Sequence, residues 1–265
     1  MILLLQMTKR YCLFLFLVTV FLGKPLLAQE HIPRPENLPE DVSIPVMILD
    51  FSGGFRAIPD GFEPTPFVSI FADGRVVTGI NSPELKSHEV QLPESEFYKL
   101  FNRFSESGIL EMDSEAIQQK IEASGKKIMI MDAPTSNLTF QTKDDTNTVS
   151  VYALSFSGTQ LGDVVPEVKK ILDLERQLRR VQAIALLGGS DELSRVLDKS
   201  NEYVRGVDEK IPPFKSEHLY SGFESRQGNV TVSFVNSDID STGNAKSISL
   251  SVTIDNGDLT FSLSR

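Results

Sequence analysis

The chain carries 36 acidic against 26 basic residues over 265 positions, a net charge of −10, with one cysteine and no tryptophan. That balance argues against nucleic acid and anionic membranes as partners, because both are held by Lys/Arg clusters. A lone cysteine excludes an internal disulfide framework.

Residues 1–28 read as a secretory signal peptide. Lys9 and Arg10 form a positive start, with Met7 the expected first residue. Tyr11–Leu22 is an apolar run of 12 residues, and Leu26-Leu27-Ala28 offers a small residue before a cut, ahead of polar Gln29-Glu30. A membrane-spanning helix needs about 20 apolar residues, so this run is too short to span. The alternative is an uncleaved anchor. Cys12 falls inside the segment, and no lipobox follows it. The exported remainder then has no thiol for a disulfide, a metal or a nucleophile. It must be held by its core, and about 237 residues suffice for one large domain or two small ones. Removing Lys9, Arg10 and Lys24 with no acid takes the net charge from −10 to −13. The acid is uneven: residues 29–175 hold 24 acids and 12 bases, whereas residues 176–265 hold 12 and 11. The asymmetry predicts two regions. The acidic part either attracts a cationic partner or serves only solubility.

Residues 29–43 carry prolines among charges with no apolar period, and read as an extended spacer. An α+β domain follows over 44–162. Ser43–Phe51 is its first strand, stopped at Gly53-Gly54, and Phe55–Thr65 is a proline-rich loop. Pro66–Gly79 reads as strand, tight turn, strand. Phe67, Ser69 and Phe71 alternate with Val68, Ile70 and Ala72, and Asp73-Gly74 is the signature of a type I′ turn. After an irregular polar stretch over 81–90, Glu94–Ser107 reads as a helix. Phe97, Leu100, Phe101 and Phe104 share one face, which predicts a core stripe covering the sheet. Asp113 or Ser114 caps a short second helix ending near Gly125. Lys127–Met131 is a short extended segment, and Leu138–Thr142 with Thr148–Leu154 form a second hairpin.

Asp163–Leu187 is the longest helical pattern, with Asp163 as cap and Pro166 in the first turn. It reads as a bridging helix of about 36 Å over residues 163–187, with Arg176, Arg179 and Arg180 as a solvated face. Gly188-Gly189 breaks it. Residues 188–265 then read as a small α+β domain. Ser190 caps a helix running to about Arg205, and four strand candidates follow (Leu219–Glu224, Asn229–Val235, Lys246–Ile254, Leu259–Leu263), the last two joined by the tight-turn pair Asn256-Gly257. The expected fold class is α+β: an antiparallel sheet with covering helices, a long linking helix, and a small helix-plus-meander domain.

Chemistry is sparse. His31, His88 and His218 are the only histidines, and no two have metal-ligand spacing on one element. A Ser-His-Asp triad leaves no local signature, since its members are distant in the chain. There is no Gly-x-Ser-x-Gly elbow, Ser-x-x-Lys, Walker loop or Gly-x-Gly-x-x-Gly. Asp238-Ile-Asp240-Ser-Thr-Gly243 has the first half of a calcium loop, but Ser249 stands where the bidentate acid belongs. A solvated hairpin loop is the preferred reading, and neither cofactor nor metal is expected. Arg56, in the loop over 52–65, is the one candidate ligand-binding residue. Its planar fork suits a carboxylate or phosphate, against the simpler reading of a solvated surface arginine.

Gly53-Gly54-Phe55, Phe71-Ala-Asp-Gly-Arg-Val-Val77, Asp132-Ala-Pro-Thr135 and Val149-Ser-Val-Tyr-Ala-Leu154 together resemble an uncharacterised family of exported bacterial proteins, some anchored as lipoproteins. The resemblance spans about residues 44–154. It implies bacterial export and carries no activity with it. The expected function is that of an exported, non-enzymatic interaction protein, in the periplasm or secreted, whose partner is a protein of the envelope or the outside. The alternatives are an inhibitor-like module, because the tail shares the outline of cystatin-like folds, and a hydrolase with an unrecognised site.

Overall fold

The computed structural model describes residues 32–54, 62–80, 82–126, 130–237 and 247–264. These fold as α+β, with two antiparallel sheets and five helices among the described residues. The first sheet comprises β1 (Pro45–Gly53), β2 (Val68–Phe71), β3 (Arg75–Thr78), β4 (Glu89–Gln91), β5 (Pro134–Gln141) and β6 (Thr146–Tyr152). Their spatial order is β4-β3-β2-β1-β5-β6. Alternation puts Met47, Leu49 and Phe51 of β1 on one face with Val68, Ile70, Leu138 and Phe140, all buried.

Helix α1 (Glu94–Glu106) covers that face. Phe97, Phe101 and Phe104 are fully buried, and Phe140 packs 5.1 Å from Phe101 and 5.6 Å from Phe104, ring to ring. Burial of each such side chain stabilises the fold by about 1.5–3 kcal/mol. Leu100, on the edge of the same stripe, stays half-buried.

The turn that begins β3 differs from the expected type I′. Only Gly74 has positive φ (84°), and Gly74 N–H donates to Phe71 O at 2.9 Å. This is a three-residue connection ending in a left-handed glycine. Asp73 takes its place through its side chain, accepting from Arg75 N–H at 3.0 Å. A Cβ on Gly74 would lie 3.2 Å from Phe97 Cγ, so the turn needs glycine for packing as well as for φ. The turn at Asn256-Gly257 does put both residues at positive φ (50° and 91°).

Helix α2 (Ser114–Ala123) is capped by Asp113, whose side chain accepts from Ala116 N–H at 2.7 Å. Helix α3 (Leu154–Leu161) lies where the sequence pattern showed no helix. Helix α4 (Pro166–Leu187) starts with Pro166 in its first turn and Val165 at the cap position, so Asp163 is not the cap. α3 packs so closely on α4 that a Cβ on Gly158 would come within 2.5 Å of Leu172 Cδ2. Helix α5 (Ser190–Val207) begins after Gly189 with no side-chain cap bond, so Ser190 is its first residue rather than its cap.

The second sheet comprises β7 (Leu219–Glu224), β8 (Val230–Asn236), β9 (Ile248–Asp255) and β10 (Asp258–Ser264), in the order β10-β9-β8-β7. Val230, Val232, Phe234, Leu250 and Val252 form its inner face against α4 and α5. α4 serves both sheets. Arg179, in its middle, lies over the rings of Phe51 and Phe67 from the first sheet's side, and Ala183, one turn on, meets Gly222 of β7.

The described part of the expected spacer packs against the first sheet's surroundings. Leu38 is buried, Asn37 Nδ2 donates to Ser105 Oγ at 3.0 Å, and Lys143 N–H donates to Asn37 O at 2.9 Å. Of the expected extended segment 127–131, residues 127–129 lie outside the described residues, and Ile130 and Met131 are not in a strand.

Candidate functional site

The residues singled out from sequence do not converge. Arg56, His31, Asp238 and Asp240 all lie outside the described residues. His88, just before β4, meets Glu224 at the end of β7, with Nε2 3.0 Å from Oε2. Its backbone is pinned as well, for His88 N–H donates to Thr78 Oγ1 and His88 O accepts from Thr78 N–H. This pair is a tie between the two sheets, with no hydroxyl on the imidazole. His218 closes a short 3-10 turn (Ser216–His218) and its Nδ1 accepts Lys215 N–H at 3.2 Å. It enters a cleft that Glu217 and Ser237 also line. Among the described residues His218 has no hydrogen bond to either, so no nucleophile–base pair is assembled there.

That cleft nonetheless gathers cationic side chains from separate elements. It has a volume of about 390 Å³, and Arg103 of α1, Arg176 and Arg180 of α4, and His218 all border it. A second cleft of about 710 Å³ adjoins it, sharing Arg103, Gln177, Arg180 and Glu217. Its apolar wall is Leu92, Leu100, Val181 and Ile184, with Glu96, Lys99 and Glu106 along it. The three arginines of α4 are not one solvated face. Arg176 is exposed and pairs with Asp173 at 3.5 Å. Arg179 turns inward, with its guanidinium 4.7 Å from the Phe51 ring and its Nε 2.6 Å from the buried Glu175 carboxylate. Arg180 has no ion pair among the described residues, and its Nε is buried without a hydrogen-bond partner. Arg103 likewise has no ion pair among them. Sequence periodicity could have flagged Glu175–Arg179 as an i, i+4 pair. It could not show Arg103 and Arg180 lining one cleft.

The second sheet offers a different kind of surface. Its outer face holds two hydroxyl rows set by the register: Thr231, Thr253 and Thr260 in one, and Ser221, Ser233, Ser251 and Ser262 in the next. Thr231 and Thr253 hydroxyls are 3.0 Å apart. These rows contain no charged residue. Phe223, in line with the threonine row, is 59% exposed, and Tyr220 at the adjacent bulge is 42% exposed.

This sheet ends in β10, which is seven residues long and regular against β9 throughout. A two-residue loop makes Asp255–Asp258 a hydrogen-bonded pair, and alternation makes Thr253–Thr260 and Ser251–Ser262 the next ones. The N–H and C=O groups of Leu259, Phe261 and Leu263 therefore point away from β9, toward the edge. No backbone partner meets them among the described residues. The other three edges are blunted. β4 has three residues and an Arg75–Glu89 pair beside it. β6 is capped by side chains, with Asn147 Nδ2 donating to Ile109 O and Met112 O, and Ser114 Oγ accepting from Ser150 N–H. β7 carries a bulge between Leu219 and Ser221.

The groups with perturbed acidity mark structural ties. A hydrogen bond from Lys120 holds Glu167 below the usual carboxylate range, and one from Arg195 does the same for Glu192. Burial and the Glu94 carboxylate push Tyr98 up. None of these three lines either cleft. Among the described residues no group of three or more His, Cys, Asp or Glu is placed to hold a metal, and no helix is long and apolar enough to cross a membrane. No family model, curated protein or solved structure matches the chain.

Proposed function

We propose that this is an exported, non-enzymatic interaction protein, and that its partner adds an extended segment to β10. The partner is a protein of the envelope or the extracellular space. The observation that carries this reading is the open β10 edge: outward backbone groups on alternate residues, half-buried Leu259, Phe261 and Leu263, and rows of hydroxyls on the opposite face, with acid only at the Asp255–Asp258 end. Natural sheets blunt such edges with charge, proline, bulges or covering chain. An edge left regular, with its one charge at the first residue, is suited to strand addition, where main-chain hydrogen bonds give affinity and alternate side chains give specificity.

The test is photo-crosslinking in the producing cell. Benzoylphenylalanine in place of Ser262 should give one dominant adduct with another protein, and the same group in place of Thr148 on β6 should not. Thr260→Lys, a charge on the exposed side of the edge, should remove most of the adduct while leaving the unfolding midpoint unchanged. Equal labelling at both positions, or an adduct indifferent to Thr260→Lys, would overturn the strand-addition reading. An adduct of twice the chain's own mass would replace the foreign partner with a second copy.

A further inference from the structure

We propose that the joined clefts between α1, α4 and the 3-10 turn at Ser216–His218 bind a small amphiphilic carboxylate. Its head group would sit on Arg103, Arg180 and His218, and its apolar body along Leu100, Val181 and Ile184. This site is separate from the β10 edge and does not depend on it.

Arg103 comes from the acidic region, with 24 acids to 12 bases over residues 29–175, and Arg180 from the near-balanced one, with 12 to 11 over residues 176–265. Arg75, Arg176, Arg179 and Arg195 each pair with a carboxylate. Arg103 and Arg180 do not, although they come from different helices to the same cleft. The Nε of Arg180 is buried with nothing to donate to. A buried unmet donor costs roughly 1–3 kcal/mol. The Nη groups of the same guanidinium are not among the buried unmet atoms, so an anion in the cleft would meet Arg180 through them. The guanidinium fork matches a planar carboxylate in two parallel hydrogen bonds. Arg176 stands at the mouth of the same cleft, so the head-group end has three arginines to the single acid Glu217. Glu217 itself pairs with Lys215 at 3.5 Å.

Beyond Arg103 and Arg180 the cleft widens to about 710 Å³ with Val181 and Ile184 nearly buried as its floor. Ligand sites are typically concave, apolar-walled and set between structural units, with a few polar groups fixing orientation. Glu96, Lys99 and Glu106 border this wider part, two acids to one base, whereas the cationic excess is at the arginines, which places the charged end there.

Calorimetric titration of the purified full chain tests the assignment, with decanoate below its micelle concentration as the probe. Decanol, decyltrimethylammonium and inorganic phosphate are the comparison arms. Decanoate should saturate one site and bind at least about tenfold more tightly than any of the three. Arg103→Gln and Arg180→Gln should each weaken decanoate about tenfold, the effect expected for loss of a charge-assisted hydrogen bond. Arg103 is on the outer side of α1, so Arg103→Gln remains a test even if Arg180→Gln disturbs folding. Decanol or the cationic amphiphile binding as tightly would overturn the role of charge. Phosphate binding as tightly would overturn the amphiphile in favour of a bare oxyanion. No saturable heat with decanoate, or affinity unchanged in Arg103→Gln, would overturn the site altogether.

Discussion

The two sheets meet on one helix but close their surfaces in opposite ways. The first is a closed object. Its central strand β1 is flanked on both sides, its outer edges are short or capped by side chains, and its outer face carries Arg75, Asp50 and Glu89. The second is half-open, with the outer edge of β10 unpaired among the described residues and hydroxyl rows on its face. Sheets of similar pairing chemistry thus separate into framework and docking surface according to how their edges are treated. The acidic charge follows the same division, since the framework half carries most of the acid.

The largest test of this division removes matching core rings. Phe101 under the first sheet and Phe234 under the second are both fully buried. Phe101→Ala and Phe234→Ala should each cost about 3–5 kcal/mol, counting lost burial and the cavity left behind. Because α4 is packed on both sheets, we expect one unfolding transition in urea for either variant, followed by circular dichroism. Hydrogen exchange sharpens the comparison. If Phe234→Ala releases the amides of β7–β10 while β1, β2 and β5 keep wild-type protection, the sheets are energetically separate and α4 does not couple them.

A second substitution acts where the sheets share α4. Gly222 lies so near the helix that an added Cβ would be 3.0 Å from Ala183 Cβ and 3.1 Å from its Cα. The neighbour is helix backbone, which cannot swing aside. Gly222→Val should overpack this contact and cost about 1–3 kcal/mol. The loss should appear as faster amide exchange in β7 and β8, with α1 and β1 unchanged. A wild-type midpoint for Gly222→Val would mean that β7 can slide on α4, and that the close approach is not what seats the second sheet.

Much of this architecture was legible in the sequence. The phenylalanine stripe of α1, the glycine turns and the four strands of the tail depend on periods of 3.6 and 2, which are local. Three features were not local. Helix α3 holds Ser155, Ser157, Gly158 and Thr159, poor helix formers, and exists because Ala153 turns the chain at φ 48° and Gly158 fits against Leu172. β4 is too short to show a period, and forms by pairing Val76 with Val90. The junction of β1 with β5 joins segments about 90 residues apart, such as Leu49 with Leu138. The candidate site was less legible than the fold. Arg56, Asp238 and Asp240 were chosen from loop composition and lie outside the described residues, whereas the arginine cleft arises only where α1 and α4 come together. Arg176, Arg179 and Arg180 look alike in the sequence. Three neighbouring positions on one helix point in three directions, so one ends exposed, one stacked and one with a buried unmet donor.

The smallest expected effect concerns the tie between the sheets. His88 and Glu224 are separated by 136 positions and meet at 3.0 Å, and the glutamate side chain is only 13% exposed. A hydrogen bond of this kind contributes about 1 kcal/mol net, and truncating one partner leaves the other partly desolvated. The double-mutant cycle of His88→Ala and Glu224→Ala at fixed pH should therefore give a coupling energy of about 1 kcal/mol, read from urea midpoints. A coupling near zero would remove this pair as a link between the sheets, and the second sheet would then be freer to shift on α4 when a partner docks on β10. A coupling of the expected size means the far end of β7 is held from both sides. Strand addition at β10 then occurs on a sheet already fixed at its other edge, so binding need not be weakened by the cost of ordering it.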